Sequence, residues 1–299
     1  MQSRAALAAP FAAGAIIASQ FSNALGAAWS KALFPEIGPE GVIALRVGFS
    51  AILLGIATRA WRIRVSQDQI GNLVAYGVAL GLMNSFAYQA FARIPVGIGM
   101  AIEVTGPLAV VIYNSRHRSD LAWVACTVAG LVLLLFKEAA LPSVDPVGVG
   151  LAFCSAACWG SYIVYGKRVS TVGSGNVVAV GFFIASLFVV PFGVGSIGSK
   201  LFEPHWLLTG MAIAVFSGAF PFFLQMLALR RLPSRVYGLL ASGVPAVGAI
   251  MGFVVLGEAL DLRQCLGILL VIAAGVGATL SLSRRAAWSA ASPVDRRRA

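Results

Sequence analysis

This sequence has little charge. Asp, Glu, Lys and Arg make up 11% of its 299 residues, less than half of the about 25% usual in soluble domains. A soluble chain of this length could not cover its surface with so few charges. Acids are the scarcer sign, 11 against 22 basic residues. Histidine occurs only as His117 and His205, isolated from each other and from any metalloprotease spacing. A phosphate-binding loop is missing too. The nearest stretch, Gly193 to Lys200 ("GVGSIGSK"), ends in Gly-Ser-Lys where the Walker pattern needs Gly-Lys-Ser/Thr. These absences argue against a metal hydrolase and an ATPase, and no cofactor is expected. Alternating strands of about 10 residues, the mark of a membrane barrel, are also absent.

Long apolar blocks fill the chain instead. Hydrophobic residues reach 59% and mean hydropathy is +0.88. The blocks run close to the roughly 20 residues that cross a 30 Å hydrocarbon layer as a helix. They predict an all-α polytopic membrane protein with ten transmembrane helices, at about 11–29, 42–58, 70–92, 95–114, 120–136, 147–166, 176–197, 206–229, 233–255 and 263–282. The loops between them are short and leave no room for a soluble domain. Residues 286–299 read as a polar, basic, disordered tail. The N-terminus, with Arg4 before an apolar run, resembles a secretory signal. The run extends to about Trp29, however, and reads as an uncleaved first span.

Loop charges orient the chain. Sixteen Lys and Arg residues fall in segments on the side of the N-terminus and five on the other, with Arg46 inside a span. This predicts both termini in the cytoplasm and an even number of spans. The net charge of +11 then reflects topology and contact with anionic lipid, not a nucleic-acid partner. Cys126, Cys154, Cys158 and Cys265 all fall inside spans. Cys154 and Cys158 share a helix face, but with no histidine beside them they read as small buried residues rather than metal ligands.

A repeat lies in the chain. In "ARIPVGIGMAIEVTGPLAV" (Ala92 to Val110) and "RRLPSRVYGLLASGVPAVG" (Arg230 to Gly248), Arg93, Pro95 and Pro107 match Arg231, Pro233 and Pro245, each pair 138 positions apart. The matches fall at the fourth and ninth spans. Five spans separate them, an odd number, so the second copy enters from the opposite face. Two inverted five-helix repeats are expected, 1–140 and 141–285, an architecture suited to alternating access around a midplane site.

"CWGSYIVYGKR" (Cys158 to Arg168), "EVTGPLAV" (Glu103 to Val110) and "GEALDLRQCLGILLVIAAGV" (Gly257 to Val276) resemble the drug/metabolite transporter superfamily in its ten-helix, EamA-type form. "KALFPEIGPEGVIALR" (Lys31 to Arg46), taken with the Glu103 stretch, resembles the bacterial threonine/homoserine exporters, and the related aromatic amino-acid exporters share the frame. Many relatives carry an acid just before the proline of the ninth span. Here that position is Val244, which puts in doubt any mechanism needing a second intramembrane carboxylate.

Candidate site residues are the polar ones inside spans. Glu103 is the acid placed well within one. A charge at the bilayer centre costs about 2.5–3.5 kcal/mol on insertion scales, so it should face the bundle interior or a cavity. It reads either as a functional carboxylate, binding a substrate ammonium or carrying a proton, or as a structural carboxyl, protonated or paired with Arg46. Arg46 itself either snorkels to the interface or binds a substrate carboxylate. Asn84 and Tyr88 share a face at i, i+4, as do Trp159 and Tyr162 at i, i+3; Gln20, Asn23 and Gln225 sit in the first and eighth spans. Donors, acceptors and aromatic faces of this kind suit an amino acid, though each also serves helix packing. The expectation is a secondary exporter of amino acids, threonine- or homoserine-like, in the bacterial inner membrane, with a proton as the coupling ion. The alternatives are a multidrug or other metabolite exporter on the same frame and, last, an intramembrane enzyme.

Overall fold

The computed structural model describes residues 2–63, 65–94, 96–113, 118–135 and 145–241, with 243, 244, 246, 247, 262, 263, 265–267, 269, 270, 272–274 and 277 beyond them. All regular structure among them is helical. Among the described residues, six helical stretches are long and apolar enough to cross a membrane: Phe11–Ala32, Phe34–Thr58, Gln67–Arg93, Pro146–Val169, Ser174–Phe202 and Pro204–Arg231. Shorter helical pieces stand where the other four spans are expected. Much of the tenth span, the Gly257 to Val276 stretch, Pro95, Pro245, His117 and the tail lie outside the described residues.

In chain order the helices are α1 (Gln2–Ala32), α2 (Phe34–Thr58), α3 (Gln67–Arg93), α4 (Val96–Glu103), α5 (Thr105–Tyr113), α6 (Arg118–Leu135), α7 (Pro146–Val169), α8 (Ser174–Ile197), α9 (Pro204–Ile213), α10 (Phe220–Arg231) and α11 (Ser234–Ala241). Their outward faces are apolar. Ile17, Phe21 and Leu25, four apart on α1, are exposed, as are Phe183, Leu187 and Phe192 on α8. Such stripes would be a liability in water and match lipid.

Prolines set the breaks. Pro107 has no N–H to give the carbonyl four residues back, which is that of Glu103. The expected fourth span accordingly divides into α4 and α5 at Val104, directly after Glu103. Pro245 stands in the same sequence relation to Ala241. On α2, Gly38 takes φ 60°, a value glycine tolerates, and Pro39 restarts the helix. The continuous part of α2 therefore runs from Pro39, three residues before the expected 42, and Arg46 sits about two turns past the kink. Asp145 caps α7 by accepting the Val147 N–H at 2.9 Å, and Pro146 fills the first turn.

The bundle packs in matched pairs. α2 lies along α8, α3 along α7 and α1 along α10, while α5 contacts both α7 and α11, and α11 reaches α1. The chain leaves α3 through an extended Ile94, its N–H on the Ala90 carbonyl at 2.8 Å, and leaves α10 through an extended Leu232, its N–H on the Ala228 carbonyl at 2.8 Å. Ile94 and Leu232 are 138 positions apart. Small residues allow the closest crossings. A Cβ on Gly106 would lie 2.0 Å from the Ala156 carbonyl oxygen, so α5 and α7 touch backbone to backbone.

Candidate functional site

α1, α2, α3, α4, α7 and α10, with Val244, line a cavity of about 70 Å³, several times the roughly 10–15 Å³ that one water needs. Eight of the nine polar and aromatic residues expected from the sequence line it: Gln20, Asn23, Arg46, Asn84, Tyr88, Glu103, Trp159 and Gln225. Met83, Met100, Phe91 and Phe222 supply apolar wall. Tyr162 does not join them. It is fully buried beside the cavity, its ring 4.9 Å from that of Tyr76 and 6.0 Å, edge-on, from Phe222. A step of three residues turns about 60° away from Trp159 around the helix, enough to put Tyr162 into the packing behind the wall.

Glu103 is 8% exposed and is the one buried carboxylate among the described residues. Its carboxylate accepts from the Ser155 hydroxyl. That hydroxyl has a second acceptor in reach, the Met83 carbonyl at 3.0 Å, but a single hydrogen. If Glu103 is ionised, Ser155 donates to it. If Glu103 is protonated, the acid donates to Ser155 Oγ and Ser155 turns its hydrogen to Met83. Both states are thus hydrogen-bonded without moving a backbone atom. Ser155 was not singled out from the sequence, although it lies four residues before Trp159 and on its face.

Arg46 is 2% exposed. It does not snorkel: it sits about two turns past the Gly38 kink and turns its donors onto Ser217 and Asn84 inside the bundle. Its Nε donates to the Ser217 carbonyl at 3.1 Å, and Nη2 donates to the same oxygen. Nη1 donates to Asn84 Oδ1, and Nη2 to Asn23 Oδ1 at 3.3 Å. The guanidinium also lies over Tyr88, 5.2 Å from its centroid, and Phe222 at 5.6 Å. Among the described residues the ion pairs within 4.0 Å are Arg93–Asp145 and Lys200–Glu36. Glu103 and Arg46 therefore share the cavity without forming a direct pair, contrary to the structural pairing considered for them.

The remaining polar groups cross-link the wall. Tyr88 donates to Ser30 Oγ at 3.2 Å. Gln20 donates to the Leu240 carbonyl at 2.8 Å. Tyr237 donates to Gln225 Oε1 at 3.1 Å. Asn84 uses its amide nitrogen on the Leu80 carbonyl, 2.7 Å away, and so turns its oxygen to Arg46. Among the described residues no three His, Cys, Asp or Glu side chains gather as a metal site requires.

Residues 146–280 match the EamA-like transporter family. The chain is 41% identical over 261 residues to the threonine/homoserine exporter RhtA of Salmonella typhimurium (strain SL1344), covering 87% of this chain and 88% of that protein. It is 40% identical over the same length and coverage to RhtA of Escherichia coli (strain K12). A crystal structure with 19% sequence identity superposes with a TM-score of 0.72 over 94% of this chain and 98% of its own, which supports the fold. The lipid-matched helices, the buried polar cavity and these likenesses agree. The chain belongs to the EamA-like transporter family of the drug/metabolite transporter superfamily, and is a multi-pass membrane transporter, not an enzyme.

Proposed function

We propose that the protein exports small amino acids, threonine and homoserine foremost, from the cytoplasm by alternating access. The observation that carries this reading is the meeting of Glu103 and Arg46 in one cavity without pairing to each other. A carboxylate and a guanidinium held apart match the ammonium and carboxylate of a zwitterion. A lipophilic cation would leave Arg46 unanswered, which favours an amino acid over a multidrug substrate. The similarity to RhtA, named as a threonine/homoserine exporter, supports the same class.

Residues 1–140 and 141–285 act in this reading as inverted repeats that rock about the cavity. Support comes from the matched exits at Ile94 and Leu232 and from packing that pairs α1 with α10 as α7 pairs with α3. Both termini face the cytoplasm, on the strength of the charge bias. A reporter fused after Arg285 checks this, since activity in the periplasm contradicts it. Glu103 carries the coupling proton or holds the ammonium, and Asn84, Tyr88, Trp159, Gln20, Asn23 and Gln225 shape the rest of the site.

Uptake of each of the twenty amino acids into proteoliposomes, with and without a pH gradient, tests the whole reading. Gradient-stimulated threonine and homoserine transport is expected. Transport of lipophilic cations with no amino-acid competition would transfer the chain to the multidrug class.

A further inference from the structure

Between α9 and α10 the backbone widens into a π-helical turn, Ala214–Ala219, closed by the Phe220 N–H on the Val215 carbonyl. Such turns are rare and frequently stand at functional sites. Here one residue beside the turn leaves carbonyls open. Pro221, buried in the first turn of α10, has no N–H to offer. The carbonyls four and five residues behind it are those of Ser217 and Phe216. Each takes a side-chain donor instead: Ser22 Oγ on Phe216, and the Nε and Nη2 of Arg46 on Ser217. In a membrane interior a carbonyl without a partner is costly, so the freed Ser217 oxygen and the buried guanidinium hold each other.

This fixes which donors of Arg46 remain for a ligand. A guanidinium has five N–H groups. Ser217 takes two, Asn84 one, and Asn23 one at 3.3 Å, the longest of these contacts. One Nη1 N–H is left over. We infer that Pro221 is the positioning residue for substrate recognition. By freeing the Ser217 carbonyl it clamps the Nε/Nη2 edge of Arg46, so that a substrate carboxylate binds through the spare Nη1 N–H and the Nη2 N–H that Asn23 gives up. The inference rests on the export reading and deepens it.

The test is equilibrium binding of L-threonine and L-threonine amide to the purified full-length protein in detergent. The amide keeps the ammonium and loses the carboxylate charge. Wild type should prefer the acid. Pro221→Ala restores an N–H that competes for the Ser217 carbonyl. It should lower the acid-to-amide preference by about tenfold, the scale of a hydrogen bond to a charged group, with amide affinity little changed. An unchanged preference in a folded Pro221→Ala protein overturns the inference. Should that variant not fold, Asn23→Ala gives the answer. Freeing the Nη2 donor should tighten the acid by roughly two- to tenfold and leave the amide alone, whereas no effect, or equal weakening of both, overturns it. If wild type binds none of the amino acids, the export reading fails and this assignment with it.

Discussion

The Ser155 hydroxyl on α7 donates to the Glu103 carboxylate at the end of α4, one residue before the chain breaks at Val104. The acid is held by a partner that can serve it charged or neutral, with no cation within ion-pair distance among the described residues. A group so held can change protonation without unfolding its surroundings, as a proton carrier must.

Glu103→Gln tests both proposed roles. Gln keeps the shape and can still accept from Ser155, so the variant should fold. It should abolish accumulation driven by a pH gradient. If the carboxylate also holds the ammonium, threonine binding without a gradient should weaken by about tenfold or more. Counterflow exchange that survives intact assigns Glu103 to the proton alone. Wild-type behaviour in both assays would make Glu103 a structural hydrogen-bonding group.

Trp159 and Tyr162, three residues apart on α7, should behave differently. Trp159 lines the cavity, so Trp159→Ala should change which amino acids compete for transport. Tyr162 packs behind the wall against Tyr76 and Phe222. Tyr162→Phe should therefore leave selectivity unchanged and the melting temperature close to that of wild type, since the ring that fills the packing is kept. Competition panels with thermal-shift measurements check both. A selectivity change in Tyr162→Phe would return that tyrosine to the site.

Gly106→Ala should destabilise the bundle severely. The added Cβ would sit 2.0 Å from the Ala156 carbonyl oxygen, which is backbone and cannot swing aside. Overpacking of this kind costs typically about 1–3 kcal/mol. The expected result is a clear fall in melting temperature in detergent. A neutral outcome would mean that α5 and α7 part more easily than their contact implies.

Asp145 gives a pH signature. The Val147 N–H that it accepts, with the nearby Arg93, holds its carboxyl below the ordinary aspartate value. A depressed folded-state pKa stabilises above the unfolded value and loses that contribution as pH falls through the folded one. Asp145→Ala should thus be less stable than wild type near neutrality, and the gap should close in acid. A gap independent of pH would leave the cap without an electrostatic part.

Much was legible in the sequence. Hydropathy is a local property, and burial in lipid asks only for about 20 apolar residues in a row, so the six long spans among the described residues could be read from the chain directly. A lone carboxylate among apolar residues likewise declares its need for an interior partner. Pro107 marks the break after Glu103, because a missing N–H acts on the residue four back.

Other features depended on the rotation and depth of each helix, which packing alone decides. Trp159 and Tyr162 differ by only about 60° around α7, yet one faces the cavity and the other the core. Arg46 found its main acceptor 171 residues away, on a carbonyl freed by Pro221 and presented by a π-helical turn that hydropathy does not register. Ser155, an ordinary small residue in sequence, matters because α4 and α7 cross where its hydroxyl meets Glu103. Hydropathy along the chain determined that it lies in a membrane and outlined the six long helices; tertiary packing decided which polar groups meet, since hydrogen bonds need contact within about 3 Å and no local pattern encodes the azimuth that brings distant helices into that range.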